Sequence, residues 1–181
     1  MGHDKYLINY HGKAQCYYVY DMAKEFCTEA FISCNTKQSP LIDNDYRTIA
    51  DVEMYAHKGP ATGVLSAFNN HPANDFLVIG CDYPLLIEEE LRHFIENIPA
   101  ESVAAAFYDA SNERYVPVLA WYSSEGGSLL IKMAGDKHFS LQRFLLNVDA
   151  FKHLPLDEKS LLSVDDKEVS ERVMSITNVN H

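Results

Sequence analysis

The stretch Asp75-Phe-Leu-Val-Ile-Gly-Cys-Asp82-Tyr-Pro84 decides the fold of this chain. Its apolar run predicts a strand from Phe76 to Gly80 that is buried on both faces, as strands of parallel sheets are. The run ends in the carboxylate of Asp82 and is then broken by Pro84. Ligands of open α/β sheets bind beyond the carboxyl ends of the strands, so Asp82 is predicted to lie at a ligand site.

Strands and helices alternate on both sides of this stretch. Apolar spacing predicts helices at Gly12 to Cys27, Val64 to Asn69, Glu88 to Ile98, Ser128 to Gly135, Ser140 to Asn147 and, more weakly, Asp157 to Leu162. Further strands are predicted at Ala30 to Cys34, Tyr46 to Ala50, Val103 to Tyr108, Tyr115 to Trp121 and Arg172 to Val179. This alternation favours an α/β domain whose mostly parallel sheet is covered by helices on both faces.

The composition restricts the class of protein. A chain of 181 residues that is 47% hydrophobic is the size of one compact domain. Its net charge of -11, with only 15 Lys and Arg, is unlike that of proteins that bind nucleic acids or anionic membranes. The cysteines form no CxxC pair, and no apolar run is long enough to span a membrane. We therefore expect a reduced, soluble, cytoplasmic protein.

Several polar residues follow predicted strands or turns and are candidates for a binding site. Asp82 is suited to Mg²⁺, although an aspartate that caps a turn before proline is an equal alternative. Asn35 and Asp51 could bind a base or ribose, but turn chemistry explains them equally well. Lys5 could contact a phosphate, or it could be an ordinary solvated lysine. The turn at Gly59 and Pro60 leads into a helix whose N-terminus can face an anion or a base.

Four short motifs occur in an order that carries more information than any one of them. They are Met-Gly-x-Asp-Lys at residues 1–5, Gly59-Pro60-x-x-Gly63, Cys81-Asp82-x-Pro84 and Asn178-x-Asn180. Together they resemble the MobA-like nucleotidyltransferases, most closely the molybdenum cofactor guanylyltransferases, over nearly the whole chain. The resemblance implies one domain over residues 1–181, with a Rossmann-like three-layer α/β/α fold of the nucleotide-diphospho-sugar transferase type.

The resemblance also implies an activity and a set of site residues. The activity is the transfer of GMP from GTP to the phosphate of molybdopterin, with Mg²⁺ as cofactor and pyrophosphate as the leaving group. The residues implied to bind the nucleotide are Lys5, Asn35, Asp51, Gly59, Pro60 and Asp82. Asp82 is also the implied catalytic residue and, with Asn180, the implied metal ligand. The alternatives are a related cytidylyl- or sugar-nucleotidyltransferase and a nonenzymatic nucleotide-binding homologue.

The chain departs from the family pattern at its start. In the family a strand and a glycine-rich loop of the pattern LxGGxSxR precede the Met-Gly-x-Asp-Lys segment, whereas this chain begins at Met1. Without that central strand, two strand edges would be unpaired inside the sheet. We consider three explanations: a start assigned to an internal methionine, a strand supplied by a partner chain or a rearranged segment, and a degenerate homologue without activity. The unpaired edges favour association into a homodimer.

Overall fold

The computed structural model describes residues 7–164. Its helices are α1 (Gln15–Lys24), α2 (Pro60–Asn70), α3 (Glu88–Glu96), α4 (Ser124–Met133) and α5 (Leu141–Asn147). Its strands are β1 (Ile32–Cys34), β2 (Thr48–Ala50), β3 (Phe76–Ile79), β4 (Ala104–Asp109), β5 (Arg114–Tyr122) and β6 (Phe151–His153). Single 3₁₀ turns cover Ser39–Leu41, Glu53–Tyr55 and Glu158–Leu161. No helix in this described part of the chain is long and apolar enough to cross a membrane.

Most predicted elements are present, and three differences have local causes. Helix α4 begins at Ser124 rather than Ser128, because the hydroxyl of Ser123 caps it by accepting a hydrogen bond from the Gly126 N–H at 3.0 Å. The weak helix predicted at Asp157 to Leu162 is a 3₁₀ turn. Strand β6 was not predicted, since its three residues are too few to show a period. The strand predicted at Arg172 to Val179 lies outside the described residues.

Four strands form one sheet in the order β3-β5-β4-β6. Strand β5 runs antiparallel to both β3 and β4, and β6 runs parallel to β4, so three of the four strands point the same way. The antiparallel strand arises from a hairpin, in which the Asp109 carboxylate accepts hydrogen bonds from Asn112. The predicted α/β class with a mostly parallel sheet is confirmed.

Helices cover both faces of this sheet. In β4, Ala106 belongs to the core cluster that includes buried residues of α2, α4 and α5, whereas Ala105 and Phe107 pack with α1 and α3. Successive side chains of a strand point to opposite faces. Ala106 therefore lies in one core, and Ala105 and Phe107 lie in the other. The resulting layers of helix, sheet and helix are those that the resemblance implies.

Strands β1 and β2 form a separate two-stranded parallel sheet, with Cys34 opposite Ala50. Within residues 7–164 no strand connects β1 to β3, and a cavity of about 600 Å³ lies between them. We call this cavity the slot. It is lined by Ser33 of β1, by all of β3 and by residues of α1 and α2. Among the described residues the two sheets are therefore not joined by a strand.

Candidate active site

Asp82 lies beyond the carboxyl end of β3, as its place in the sequence predicts. Its side chain is half-buried, and its Oδ2 accepts a hydrogen bond from the Ser163 hydroxyl at 3.0 Å. Its backbone carbonyl accepts a second one from the Val164 N–H at 2.9 Å. The segment at residues 163–164 therefore fixes the Asp82 loop. No sequence pattern marks Ser163, because the contact joins residues that are far apart in the chain.

The first described residues lie against the same loop. Tyr10 packs with Val164, and Ile8 and Leu85 pack against them. The Nε2 of His11 is 2.8 Å from the Pro84 carbonyl. The chain therefore enters α1 from the end of the sheet where β3 stops. Lys5 and Asn180, the remaining residues implied at this end, lie outside the described residues.

Asn35 and Asp51 lie side by side at the ends of β1 and β2. They follow the paired residues Cys34 and Ala50, and the Asp51 N–H donates to the Cys34 carbonyl at 2.9 Å. The side-chain oxygen of Asn35 accepts from two backbone N–H groups, at residues 37 and 38, which is the turn chemistry given as its alternative role. Burial raises the pKa of the Asp51 carboxyl. The structure thus brings the two residues together, and their ligand roles stay predictions.

Gly59 and Pro60 begin α2 close to this pair. Gly59 has φ +59° and ψ -138°, a backbone conformation that residues with a Cβ adopt only with strain. Pro60 is the first helical residue. The Thr62 hydroxyl donates to the Tyr55 carbonyl at 2.9 Å and fixes the preceding segment to the helix. The turn after β2 is therefore rigidly joined to the start of α2.

The predicted residues that the structure describes form two groups, one at the ends of β1 and β2 with the start of α2, and one beyond β3. Pro60 lines the slot beside the first group, which ends β1 and β2. Gly80 and Cys81 line it immediately before Asp82, beyond β3. Each group thus lies beyond the carboxyl end of a strand, the position expected for ligands of open α/β sheets.

The donor chemistry fits Mg²⁺ held together with a phosphorylated ligand. Within residues 7–164 no cluster of three or more His, Cys, Asp and Glu side chains could hold a metal by itself. Mg²⁺ is usually bound by one or two carboxylates, and substrate phosphates and waters complete its octahedron. The Asp82 carboxylate is suited to that arrangement, in which the protein supplies only part of the ligand set.

Gln15 is a buried polar residue that sequence reasoning missed. Its side chain is 1% exposed at the start of α1, and neither amide atom has a hydrogen-bond partner in the described part of the chain. The signal was present, because Gln15 shares the buried helix stripe with Val19 and Met22. A buried amide of this kind normally has a hydrogen-bond partner in a folded protein.

The fold is a Rossmann-like α/β fold of the kind found in nucleotide-sugar transferases. Residues 1–151 match the MobA-like NTP transferase domain. The chain belongs to this family, and the prediction of a nucleotidyltransferase is confirmed at that level.

Curated relatives agree with this assignment. The molybdenum cofactor guanylyltransferase of Shewanella baltica (strain OS185) is 26% identical over 168 residues, which cover 87% of this chain and 85% of that protein. A molybdenum cofactor biosynthesis bifunctional protein of Synechocystis sp. is 30% identical over 113 residues, which are 61% of this chain. The matched region is only 31% of that longer protein.

Solved structures support the fold. The molybdopterin-guanine dinucleotide biosynthesis protein A of Archaeoglobus fulgidus has a TM-score of 0.76 at 18% identity, and the match covers 98% of this chain and 92% of that one. A CMP:2-keto-3-deoxy-manno-octonic acid synthetase in complex with CTP has a TM-score of 0.69 at 11% identity, with the same coverage of both chains.

Proposed function

We propose that this protein transfers GMP from GTP to molybdopterin. The observation that carries the proposal is the Asp82 carboxylate beyond the end of β3, in a chain of the MobA-like family. The relatives named molybdenum cofactor guanylyltransferase support guanine and molybdopterin as the two substrates.

The reaction needs positioned groups rather than a protein nucleophile. An oxygen of the acceptor phosphate forms a bond to the α-phosphorus of GTP, and the bond from that phosphorus to the oxygen bridging to the β-phosphate breaks. The bridging oxygen leaves with pyrophosphate, and the product is a dinucleotide. The protein would contribute by holding the two reactants in line and excluding other orientations.

Each predicted residue has a part in that positioning. Asp82, together with Asn180, would hold Mg²⁺, which supplies positive charge to the phosphates when it is bound. Asp51 is an acceptor only and would take hydrogen bonds from the base or the ribose hydroxyls, beside Asn35. Lys5 would contact the phosphates; it stands just ahead of Leu7 in the sequence, and the residues that follow pack beside the Asp82 loop.

Gly59 and Pro60 would form part of the pocket wall. The positive φ of Gly59 lets the chain turn sharply into α2. That the protein is one domain over residues 1–181, is cytoplasmic and forms a homodimer are further predictions that stand beside this proposal.

Calorimetric titration of the chain with GTP, CTP and ATP, with and without Mg²⁺, tests the choice of nucleotide. We expect binding of GTP that depends on Mg²⁺ and is at least about tenfold tighter than binding of CTP, a difference of about 1.4 kcal/mol. Tighter binding of CTP would instead identify a cytidylyltransferase. Binding of GTP without release of pyrophosphate in the presence of molybdopterin would identify a nonenzymatic nucleotide-binding protein.

The substitution Asp82→Ala tests the metal role. We expect it to abolish Mg²⁺-dependent release of pyrophosphate while the circular dichroism spectrum stays that of the parent chain. The matched control is Asp75→Ala, at the amino end of the same strand, where the carboxylate accepts a hydrogen bond from the Ser124 N–H at 2.8 Å. The control should keep Mg²⁺-dependent turnover. Undiminished turnover in Asp82→Ala would contradict the assignment.

A further inference from the structure

The segment that follows β6 is held near both of its ends by acidic residues from the region after β3. We call this segment, residues 154–164, the strap. Near its start the strap contacts Glu90 of α3, and at its end it contacts Asp82. There the Ser163 hydroxyl donates to Asp82 Oδ2 at 3.0 Å, and the Val164 N–H donates to the Asp82 carbonyl at 2.9 Å. The strap therefore connects α3 with the Asp82 loop.

Glu90 is the anchor of the strap on α3. It is 1% exposed, and its carboxylate accepts hydrogen bonds from three groups of the strap: the Leu156 N–H at 3.1 Å, the Asp157 N–H at 2.7 Å and the Ser160 hydroxyl at 3.1 Å. Burying a carboxylate costs free energy unless donors satisfy its oxygens. An apolar side chain would fill the same face of α3 without that cost. The carboxylate therefore serves to hold the strap.

The strap is stiff between its two contacts. A single 3₁₀ turn covers Glu158–Leu161, and the Asp157 carboxylate caps it by accepting from the Lys159 N–H at 2.9 Å. The Leu162 N–H donates to the Lys159 carbonyl at 3.0 Å and closes the turn. Ser163 follows directly, so its position depends on where this turn is held.

The direction of the Asp82 carboxylate is set by contacts on two sides. Asp82 lies in a turn, three residues after β3 ends at Ile79. A Cβ added at Gly80 would lie 2.5 Å from Asp82 Oδ1, so this oxygen lies against the backbone of residue 80. The other oxygen accepts from the Ser163 hydroxyl. The carboxylate is therefore held between the end of its own strand and the strap.

We propose that Glu90 is a positioning residue for Asp82. By holding the turn of the strap, Glu90 presents the Ser163 hydroxyl to one oxygen of the Asp82 carboxylate. An ionised carboxylate has about four lone-pair sites, so it can accept this hydrogen bond and still bind Mg²⁺. Partners that orient a metal ligand affect metal affinity although they do not touch the metal. The effect of Glu90 on Mg²⁺ rests on the proposed function, whereas its hold on the Asp82 loop does not.

Amide hydrogen exchange followed by NMR tests that hold without any activity. Glu90→Gln keeps the shape of the side chain but replaces one acceptor oxygen by a donor group. We expect the Val164 amide, which donates to the Asp82 carbonyl, to exchange at least about tenfold faster, while amides of β4 keep their rates. The matched control is Glu89→Gln at the exposed neighbouring residue, which should change neither. Unchanged exchange at Val164 in Glu90→Gln would overturn the proposal.

The dependence of turnover on Mg²⁺ separates positioning from a structural role. We expect Glu90→Gln and Ser163→Ala each to raise the Mg²⁺ concentration for half-maximal turnover by about tenfold, with kcat at saturating Mg²⁺ close to that of the parent chain. Ser163→Thr keeps the hydroxyl and should restore the parent value. A purely structural role would lower the amount of active protein and leave the Mg²⁺ midpoint where it was, and that result would contradict the proposal.

The double variant shows whether Glu90 acts through Ser163. When Ser163→Ala has already removed the hydroxyl, adding Glu90→Gln should raise the Mg²⁺ midpoint by less than about twofold more, because both changes remove the same contact. Independent effects that multiply would overturn the proposed connection. In a parent chain without Mg²⁺-dependent turnover the proposed function fails, and the exchange rate of the Val164 amide alone then supports or overturns the role of Glu90.

Discussion

A comparison of β3 with β4 shows that the more hydrophobic of the two strands is the less buried one. Strand β3 has the sequence Phe-Leu-Val-Ile and is only partly buried along its length, whereas the first four residues of β4, Ala-Ala-Ala-Phe, are buried. Strand β4 lies between β5 and β6, but β3 has a neighbour on one edge only within the described residues. A strand that has neighbours on both edges is therefore buried more deeply than a strand with a neighbour on one edge, even when its side chains are less apolar.

The largest loss of stability should come from a substitution in β4, the more deeply buried strand. Phe107→Ala removes a ring that is 0% exposed, and we expect a loss of about 3–5 kcal/mol in the free energy of unfolding. Ile79→Ala, which removes a half-buried side chain at the slot, should cost only about 1 kcal/mol. Urea denaturation measures both values. Equal losses would show that the slot is already filled in the native chain.

A smaller loss of stability should follow from removing a buried carboxylate on α3 that accepts hydrogen bonds from a later segment of the chain. Glu90 on α3 is 1% exposed and accepts from the N–H groups of Leu156 and Asp157 and from the Ser160 hydroxyl. Glu90→Ala leaves these donors unsatisfied and should cost about 2–4 kcal/mol.

The control for Glu90→Ala is the neighbouring exposed residue on the same helix. Glu89→Ala should change the free energy of unfolding by less than about 0.5 kcal/mol. Thermal unfolding followed by circular dichroism measures both variants. A loss as large for Glu89→Ala would mean that α3 as a whole, rather than the Glu90 contacts, was disturbed.

The smallest effect should lie at Asp51, just beyond β2, and depend on pH. Burial raises the pKa of Asp51, so its charged form is disfavoured in the folded state. The contribution of Asp51 to stability is therefore present in full below its unfolded pKa of about 4 and is lost as the pH rises through the raised value. Asp51→Asn should raise the Tm by about 1 °C at pH 7, a small change because the side chain is partly exposed.

The same variant separates stability from function. The gain in Tm should disappear below about pH 4, where the carboxyl of the parent chain is protonated as well. Nucleotide binding should weaken at pH 7 even though the fold is slightly more stable. A lower Tm at pH 7 would contradict the desolvation argument, and unchanged GTP affinity would remove Asp51 from the site.

Periodic patterns predicted the elements because each pattern reports a local environment. The helical spacing in α3 and the apolar run in β3 locate those elements within a few residues. Strand β6 has three residues and was missed, and the early start of α4 depends on a single cap at Ser123. Local sequence carries little information about such short features.

Contacts between residues far apart in the sequence could not be predicted, for a different reason. Asp82 could be placed at the end of its strand, but the Ser163 hydroxyl that orients it comes from the far end of the described chain. The sequence offered turn chemistry and ligand binding as equal roles for Asn35, and the structure shows the turn contacts. The position of Asp82 at the end of its strand was thus predictable, and its supporting contacts were not.

Within residues 7–164, β1 and β3 each pair with one neighbouring strand, and their other edges bear on how this protein behaves in a crowded cell. An unpaired strand edge accepts segments of similar composition, including the apolar strands of newly made copies. Soluble yield should therefore fall as the rate of synthesis rises, and chaperones that hold unfolded chains should offset the loss.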